Sequence, residues 1–245
     1  MDLLVKEKVL VALDVESRAE ALQLADTLRD TVGGFKIGSR LFTVEGPAIV
    51  RALTDHGDRV FLDLKFHDIP NTVATAIAAA AALGVWMVNV HAGGGTAMMR
   101  AAHAAAHETA AKRGTAPPLV IAVTVLTSMN QAALAETGVV IELMDQVLRL
   151  AELTKEAGLD GVVASPRETA AIRRRHGGEF AIVTPGIRGG AADAAKGDQE
   201  RTMSPAEAVA AGASYLVIGR PIIAAPDPRQ AAEKIVQSLG NRVIG

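Results

Sequence analysis

A chain of 245 residues with 49% apolar side chains can bury a sizeable core, and its length suits one large α/β unit or two small ones. A formal net charge of −2 gives no basic excess to grip nucleic acid or an anionic membrane. The absence of cysteine excludes disulfides, thiol nucleophiles and thiolate-bound metals, and Met1 to Lys8 lacks signal-peptide architecture, so a cytoplasmic protein is expected.

Eight short apolar runs recur along the chain, most of them continuous rather than alternating. Continuous runs mark strands covered on both faces. The first, Val9–Leu13, ends on Asp14. Ser17 and Glu20 then read as a capping box, with Ala21, Leu24, Ala25 and Leu28 on one helical face. The second run, Gly34–Ile37, contains Lys36. The third, Arg59–Leu64, carries Asp63, and Lys65 follows it. Strand side chains alternate faces, so Asp63 and Lys65 are predicted to point the same way. Asp68 lies just beyond, where Ile69, Pro70 and Asn71 break regular structure. Opposite charges at a strand end are costly unless they face one another or a ligand. A lysine between carboxylates is held protonated. Asp63, Lys65 and Asp68 therefore read as a proton donor among fixed negative charges, or as a structural ion pair at a sheet end.

From Val73 to Met99 there is no Asp, Glu, Lys or Arg, which by hydropathy alone suggests a membrane span. Its interior argues otherwise. An alanine-rich helix runs to Leu83, breaks at Gly84, and gives way to a fourth run, Trp86–Val90, that carries Asn89 and leads into His91 and Gly93–Gly95. His91 reads as a packing or hydrogen-bonding residue. His103 and His107, one helical turn apart, read as helix surface rather than a metal pair. The fifth run, Leu119–Leu126, ends in Thr127 and Ser128. A helical stripe follows in Val140, Leu143, Met144, Val147, Leu148 and Ala151, with Gly158 as its cap. The sixth run is Gly161–Ala164, and Ser165, Pro166 and Glu168 start the next helix. The seventh, Ala181–Val183, leads into Pro185, Gly186, Ile187 and Arg188. Ser204, Pro205 and Glu207 repeat the helix-start pattern, Gly212 caps, and the eighth run, Tyr215–Ile218, meets Gly219, Arg220 and Pro221.

Strands alternating with helices in this way predict a single (β/α)8 TIM barrel over residues 1–245, an α/β fold, with an open doubly wound sheet as the alternative. In such barrels chemistry sits at the C-terminal strand ends, where the polar residues collect here. Arg188 and Arg220, beside glycine turns after the last two strands, read as a phosphate grip rather than two ordinary surface arginines.

The motif Asp63, Lys65, Asp68, Ile69, Pro70, Asn71, Thr72 closely resembles the signature of orotidine 5'-phosphate decarboxylases. The resemblance extends in family order over essentially the whole chain, through Leu13-Asp14, Phe35–Gly38, Val125–Ser128, Thr184–Arg188, Gly197–Arg201 and Val217–Pro221. It implies decarboxylation of orotidine 5'-monophosphate to UMP, the last step of de novo pyrimidine synthesis, without cofactor or metal. It implies a homodimer with shared active sites and no nucleic-acid or membrane partner. Lys36, Asp63, Lys65 and Asp68 would form a charged tetrad, with Asp68 and Thr72 supplied by the partner subunit. Asp14 and Lys36 would bind ribose, and Ser128 the pyrimidine. Gln199, Gly219 and Arg220 would hold phosphate, with Arg188 beside it. Ile69, Thr127 and Pro185 complete the implied substrate contacts, and Gly189–Lys196 reads as a mobile lid. Two rivals stand beside this reading. One is a magnesium-dependent sugar-phosphate decarboxylase or aldolase of the same superfamily, whose acidic ligand is replaced here by Lys36. The other is a catalytically silent phosphate-binding barrel.

Overall fold

A computed structural model describes residues 4–187 and 203–240. Eight parallel strands close into a barrel, each paired with the next in sequence and the last with the first. They are β1 Val9–Ala12, β2 Gly34–Gly38, β3 Val60–Phe66, β4 Met87–His91, β5 Leu119–Val123, β6 Gly161–Val163, β7 Ala181–Thr184 and β8 Tyr215–Ile218. The helices are α1 Arg18–Leu28, α2 Ser39–Glu45, α3 Pro47–Thr54, α4 Pro70–Ala82, α5 Gly95–Arg113, α6 Gln131–Glu136, α7 Leu143–Glu156, α8 Pro166–His176, α9 Pro205–Ala210, α10 Arg220–Ile223 and α11 Pro228–Gly240. The closed ring rules out the open doubly wound sheet.

Alternation along each strand divides the core in two. Leu10, Phe61, Met87, Ile121 and Tyr215 pack inside the barrel. Val9, Val11, Leu62, Val88 and Val120 face outward against the helices. Both sets are buried, which is why the runs read as continuous apolar sequence. The charge-free stretch Val73–Met99 breaks after α4 at Gly84 (φ +79°) and continues as β4 and the first turn of α5. Among the described residues no helix is long and apolar enough to cross a membrane.

The helix-start pattern acts as read at Ser204 and in half at Ser165 and Ser17. The Ser165 N–H donates to Glu168 at 2.8 Å and the Ser204 N–H to Glu207 at 2.9 Å. Ser17 Oγ accepts from the Glu20 N–H at 3.3 Å, but the Glu20 carboxylate turns to the Glu16 N–H, so that box is half made. Gly158 and Gly212 follow the ends of α7 and α9 with φ of +87° and +108°, the conformation a helix-ending glycine supplies.

Most strand ends fall within one or two residues of expectation, and two boundaries differ by three for local reasons. The fifth strand stops at Val123, not Leu126, because its partner β6 ends at Val163. The Thr124 hydroxyl takes the Val163 carbonyl, and the chain turns inward. The stripe of α7 does not begin at Val140, which is 86% exposed. The Gln131 amide bonds the Ile141 carbonyl and accepts from the Leu143 N–H, satisfying the first turn of α7 and starting the helix at Leu143.

Candidate active site

The inward positions at the C-terminal ends of the strands differ around the ring. On one side stand Asp14 after β1, Lys36 on β2, and Asp63 and Lys65 on β3. On the other stand Val123, Val163, Val183 and Val217 from β5 to β8. Together they line a cavity of about 340 Å³, half charged wall and half apolar wall. Thr127, Pro185, Gly219 and Arg220 complete its rim.

The charged wall is an alternating row. Lys36 Nζ lies 3.1 Å from Asp14 Oδ1 and 3.6 Å from Asp63 Oδ2. Lys65 Nζ lies 2.7 Å from Asp63 Oδ1. The inner members are the least exposed: the Lys36 side chain is 9% accessible and that of Asp63 13%, against 55% for Asp14. Such desolvated charges persist only when paired. Burial pushes the Asp63 carboxyl up. The Lys36 and Lys65 charges and hydrogen bonds from Lys65 and Asn89 outweigh burial, so it is held below the usual carboxylate range.

Asp63 and Lys65 do meet, but not by simple alternation. Leu62 pairs with Val88 and Phe66 with Val90, so β3 advances four residues where β4 advances two. Lys65 sits in this bulge with φ +54°, the one positive value at a non-glycine residue among those described. That conformation costs roughly 1–3 kcal/mol and persists only where the surroundings enforce it. Asn89 of β4, fully buried, fills the gap. Its Oδ1 accepts from the Lys65 N–H at 2.8 Å, and its Nδ2 donates to Asp63 Oδ1 at 2.7 Å. The sequence marks Asn89 as polar at a strand end but gives it no partner. Its one legible signal is an amide between valines in a buried strand.

His91 stacks near His67, with ring centroids 5.5 Å apart. Burial, then the His67 and Lys65 charges, hold it below its usual pKa, with Asp63 opposing. The rings of His103 and His107 lie 4.2 Å apart, and no group of three His, Asp or Glu residues able to hold a metal occurs among the described residues.

Other predicted residues fall elsewhere. Asp68 and Thr72 are exposed, and Ile69 is 66% exposed, at the start of α4. The Asp68 carboxylate accepts from the Ile69 N–H at 2.6 Å, and its chain's own Lys65 pairs with Asp63 instead. Ser128 is exposed beside Thr127 and off the cavity lining. Arg188, Gln199 and the segment Gly189–Lys196 lie outside the described residues. A second cavity, about 720 Å³, opens at the opposite barrel mouth. Its Arg173 is spent on the Gly212 and Phe180 carbonyls and Ser214, a latch at the end of the barrel associated with stability.

Comparison with known proteins places this geometry among relatives. A family model described as orotidine 5'-phosphate decarboxylase / HUMPS family matches residues 7–235. The chain is 56% identical over 235 residues to an orotidine 5'-phosphate decarboxylase of Moorella thermoacetica, covering 96% of this chain and 92% of that one. It is 52% identical to one of Vibrio cholerae, covering 95% and 98%. The crystal structure of orotidine 5'-phosphate decarboxylase from Lactobacillus acidophilus superposes with a TM-score of 0.83 at 36% identity, covering 94% of this chain and 98% of that one. The enzyme of that name from Pyrococcus horikoshii gives 0.75 at 27% identity, covering 95% and 99%.

Proposed function

The chain belongs to the orotidine 5'-phosphate decarboxylase / HUMPS family and is a decarboxylase of orotidine 5'-monophosphate in pyrimidine biosynthesis, and we propose that the charged row of Asp14, Lys36, Asp63 and Lys65 is its catalytic wall. The observation that carries this assignment is the alternating ion-paired row facing an apolar wall across one cavity.

In this reading the bond between pyrimidine C6 and the carboxylate carbon breaks, its electron pair stays on C6, and CO2 departs. The neutral gas meets the valine wall, which has no polar group to hold it. The Lys65 ammonium stabilises the charge growing on C6 and then transfers a proton to it, giving UMP. Solvent returns a proton to Lys65. Asp63, held below the usual carboxylate range by the two lysines, stands as the anion that anchors the Lys65 ammonium before the transfer. Lys36, fixed between Asp14 and Asp63, presents its remaining donor with Asp14 to the ribose hydroxyls. Thr127 and Pro185 border the pyrimidine, and Ser128, next along the exposed loop, turns in to bond it. Gly219 and Arg220 take the phosphate together with Arg188 and Gln199. Binding energy gathered at phosphate, far from C6, can then be applied to the reacting centre.

The outward stretch Asp68, Ile69 and Thr72 supports a homodimer. A carboxylate and an exposed isoleucine just past β3 that do not line their own chain's cavity suit insertion into a partner's. Asp68 of the partner subunit then becomes a second carboxylate beside Lys65. Residues 1–245 act as one catalytic unit, located in the cytoplasm. The test is the loss of ultraviolet absorbance on adding orotidine 5'-monophosphate, with and without EDTA. Turnover in both conditions is expected. No turnover overturns the reading, and turnover abolished by EDTA redirects it to metal chemistry.

A further inference from the structure

We propose that Asn89 is a positioning residue for the decarboxylation, setting where the Lys65 ammonium stands. The inference rests on the reading of Lys65 as proton donor. It starts from a closed ring of contacts. Asn89 Oδ1 holds the Lys65 backbone N–H at 2.8 Å, and Asn89 Nδ2 holds Asp63 Oδ1 at 2.7 Å. The same Asp63 oxygen receives the Lys65 ammonium at 2.7 Å. One amide thus fixes the lysine at both ends, its main chain directly and its charged tip through Asp63.

The amide's orientation follows from its partners. An N–H can only meet the carbonyl oxygen, and a carboxylate can only meet the NH2, so the reverse orientation loses both bonds. Asn89 is fully buried, so both bonds are made inside the protein and not shared with solvent, and losing them is costly. The strained backbone at Lys65 (φ +54°) gives this support its purpose. Without a partner for its N–H the bulge can relax, and the ammonium moves with it. Asparagine alone among side chains of this length supplies a neutral donor and a neutral acceptor in one plane. Aspartate in its place keeps the acceptor but sets a second anion against Asp63. Two carboxylates that close share a proton, and the protonated form restores the missing donor.

That difference separates positioning from mere support. Asn89→Ala should lower kcat at least about tenfold while KM and the UMP dissociation constant move less, because a misplacement near 1 Å can cost on the order of a hundredfold. Asn89→Asp should be impaired at neutral pH and recover toward acid, so its kcat relative to the unmodified enzyme rises as pH falls. If Asn89→Ala fails to fold, the Asn89→Asp profile decides alone. A kcat within about twofold of normal for Asn89→Ala, or a constant Asn89→Asp ratio across pH, overturns the inference. Lys65→Ala run beside them separates the two claims. An inactive Lys65→Ala with normal Asn89 variants sinks this inference alone, whereas an active Lys65→Ala sinks the reading it rests on.

Discussion

Lys65 combines an unfavourable backbone with an ion pair to a carboxylate that is itself depressed in pKa. Its replacement by alanine should abolish turnover and leave UMP binding largely intact, since the contacts assigned to ribose and phosphate remain. Near-normal turnover in the purified variant would refute the proton-donor role. Arg220, exposed at the cavity rim, forms no ion pair with the described residues and is available to an anion. Arg220→Ala should weaken nucleotide binding about ten- to hundredfold, the equivalent of a charge-assisted contact of roughly 1.5–3 kcal/mol, and barely affect the nucleoside. Equal losses for both ligands would remove the phosphate assignment. At this scale Asp14, Lys36, Asp63 and Lys65 were legible, because charged residues at the ends of apolar runs have few other places to go. Asn89 was not. Its partners lie across a bulge, and the register of a bulge is a property of two strands, not of either sequence.

At the scale of elements, the apolar runs located all eight strands, and their ends shifted where a neighbour ended first. A strand end is set by its partner's length, which no local pattern encodes. The same dependence makes Gly161 critical. A Cβ there would stand 2.0 Å from the Ala181 carbonyl oxygen, on the strand paired with it. Backbone cannot move aside as a flexible side chain can. Gly161→Ala should therefore cost at least the roughly 1–3 kcal/mol typical of overpacking, read as a lowered urea midpoint. An unchanged midpoint would show that β6 and β7 can separate without loss.

For the whole molecule, alternation of strand and helix predicted closure, and the ring of pairings shows it. What one chain's pattern could not show is how Asp68 is used, since its role depends on a second copy. If each site takes Lys65 from one subunit and Asp68 from the other, Lys65→Ala and Asp68→Ala homodimers are both poor enzymes. Refolding the two together yields mixed dimers in which one site carries both defects and the other neither. About a quarter of all sites should then recover, by the symmetry of the dimer. Confirmed subunit exchange with no recovery would return Asp68 to its own chain.

The pairing of β1 with β8 also has a consequence for how the protein is made. The first strand leaves the ribosome before the other seven, and its outer neighbour, residues 215–218, leaves after them all. Throughout that interval β1 and the newest strand present open edges able to pair with foreign strands. Asp14, Lys36, Asp63 and Lys65 have all emerged by then, yet Gly219 and Arg220 have not. A nascent chain therefore carries the catalytic row without its phosphate grip, and should be inactive and dependent on chaperones until β8 has emerged. Stalled nascent chains of graded length, assayed for UMP binding and for chaperone association, should change both properties together once β8 clears the exit tunnel. Binding by chains that lack β8 would show that seven strands suffice.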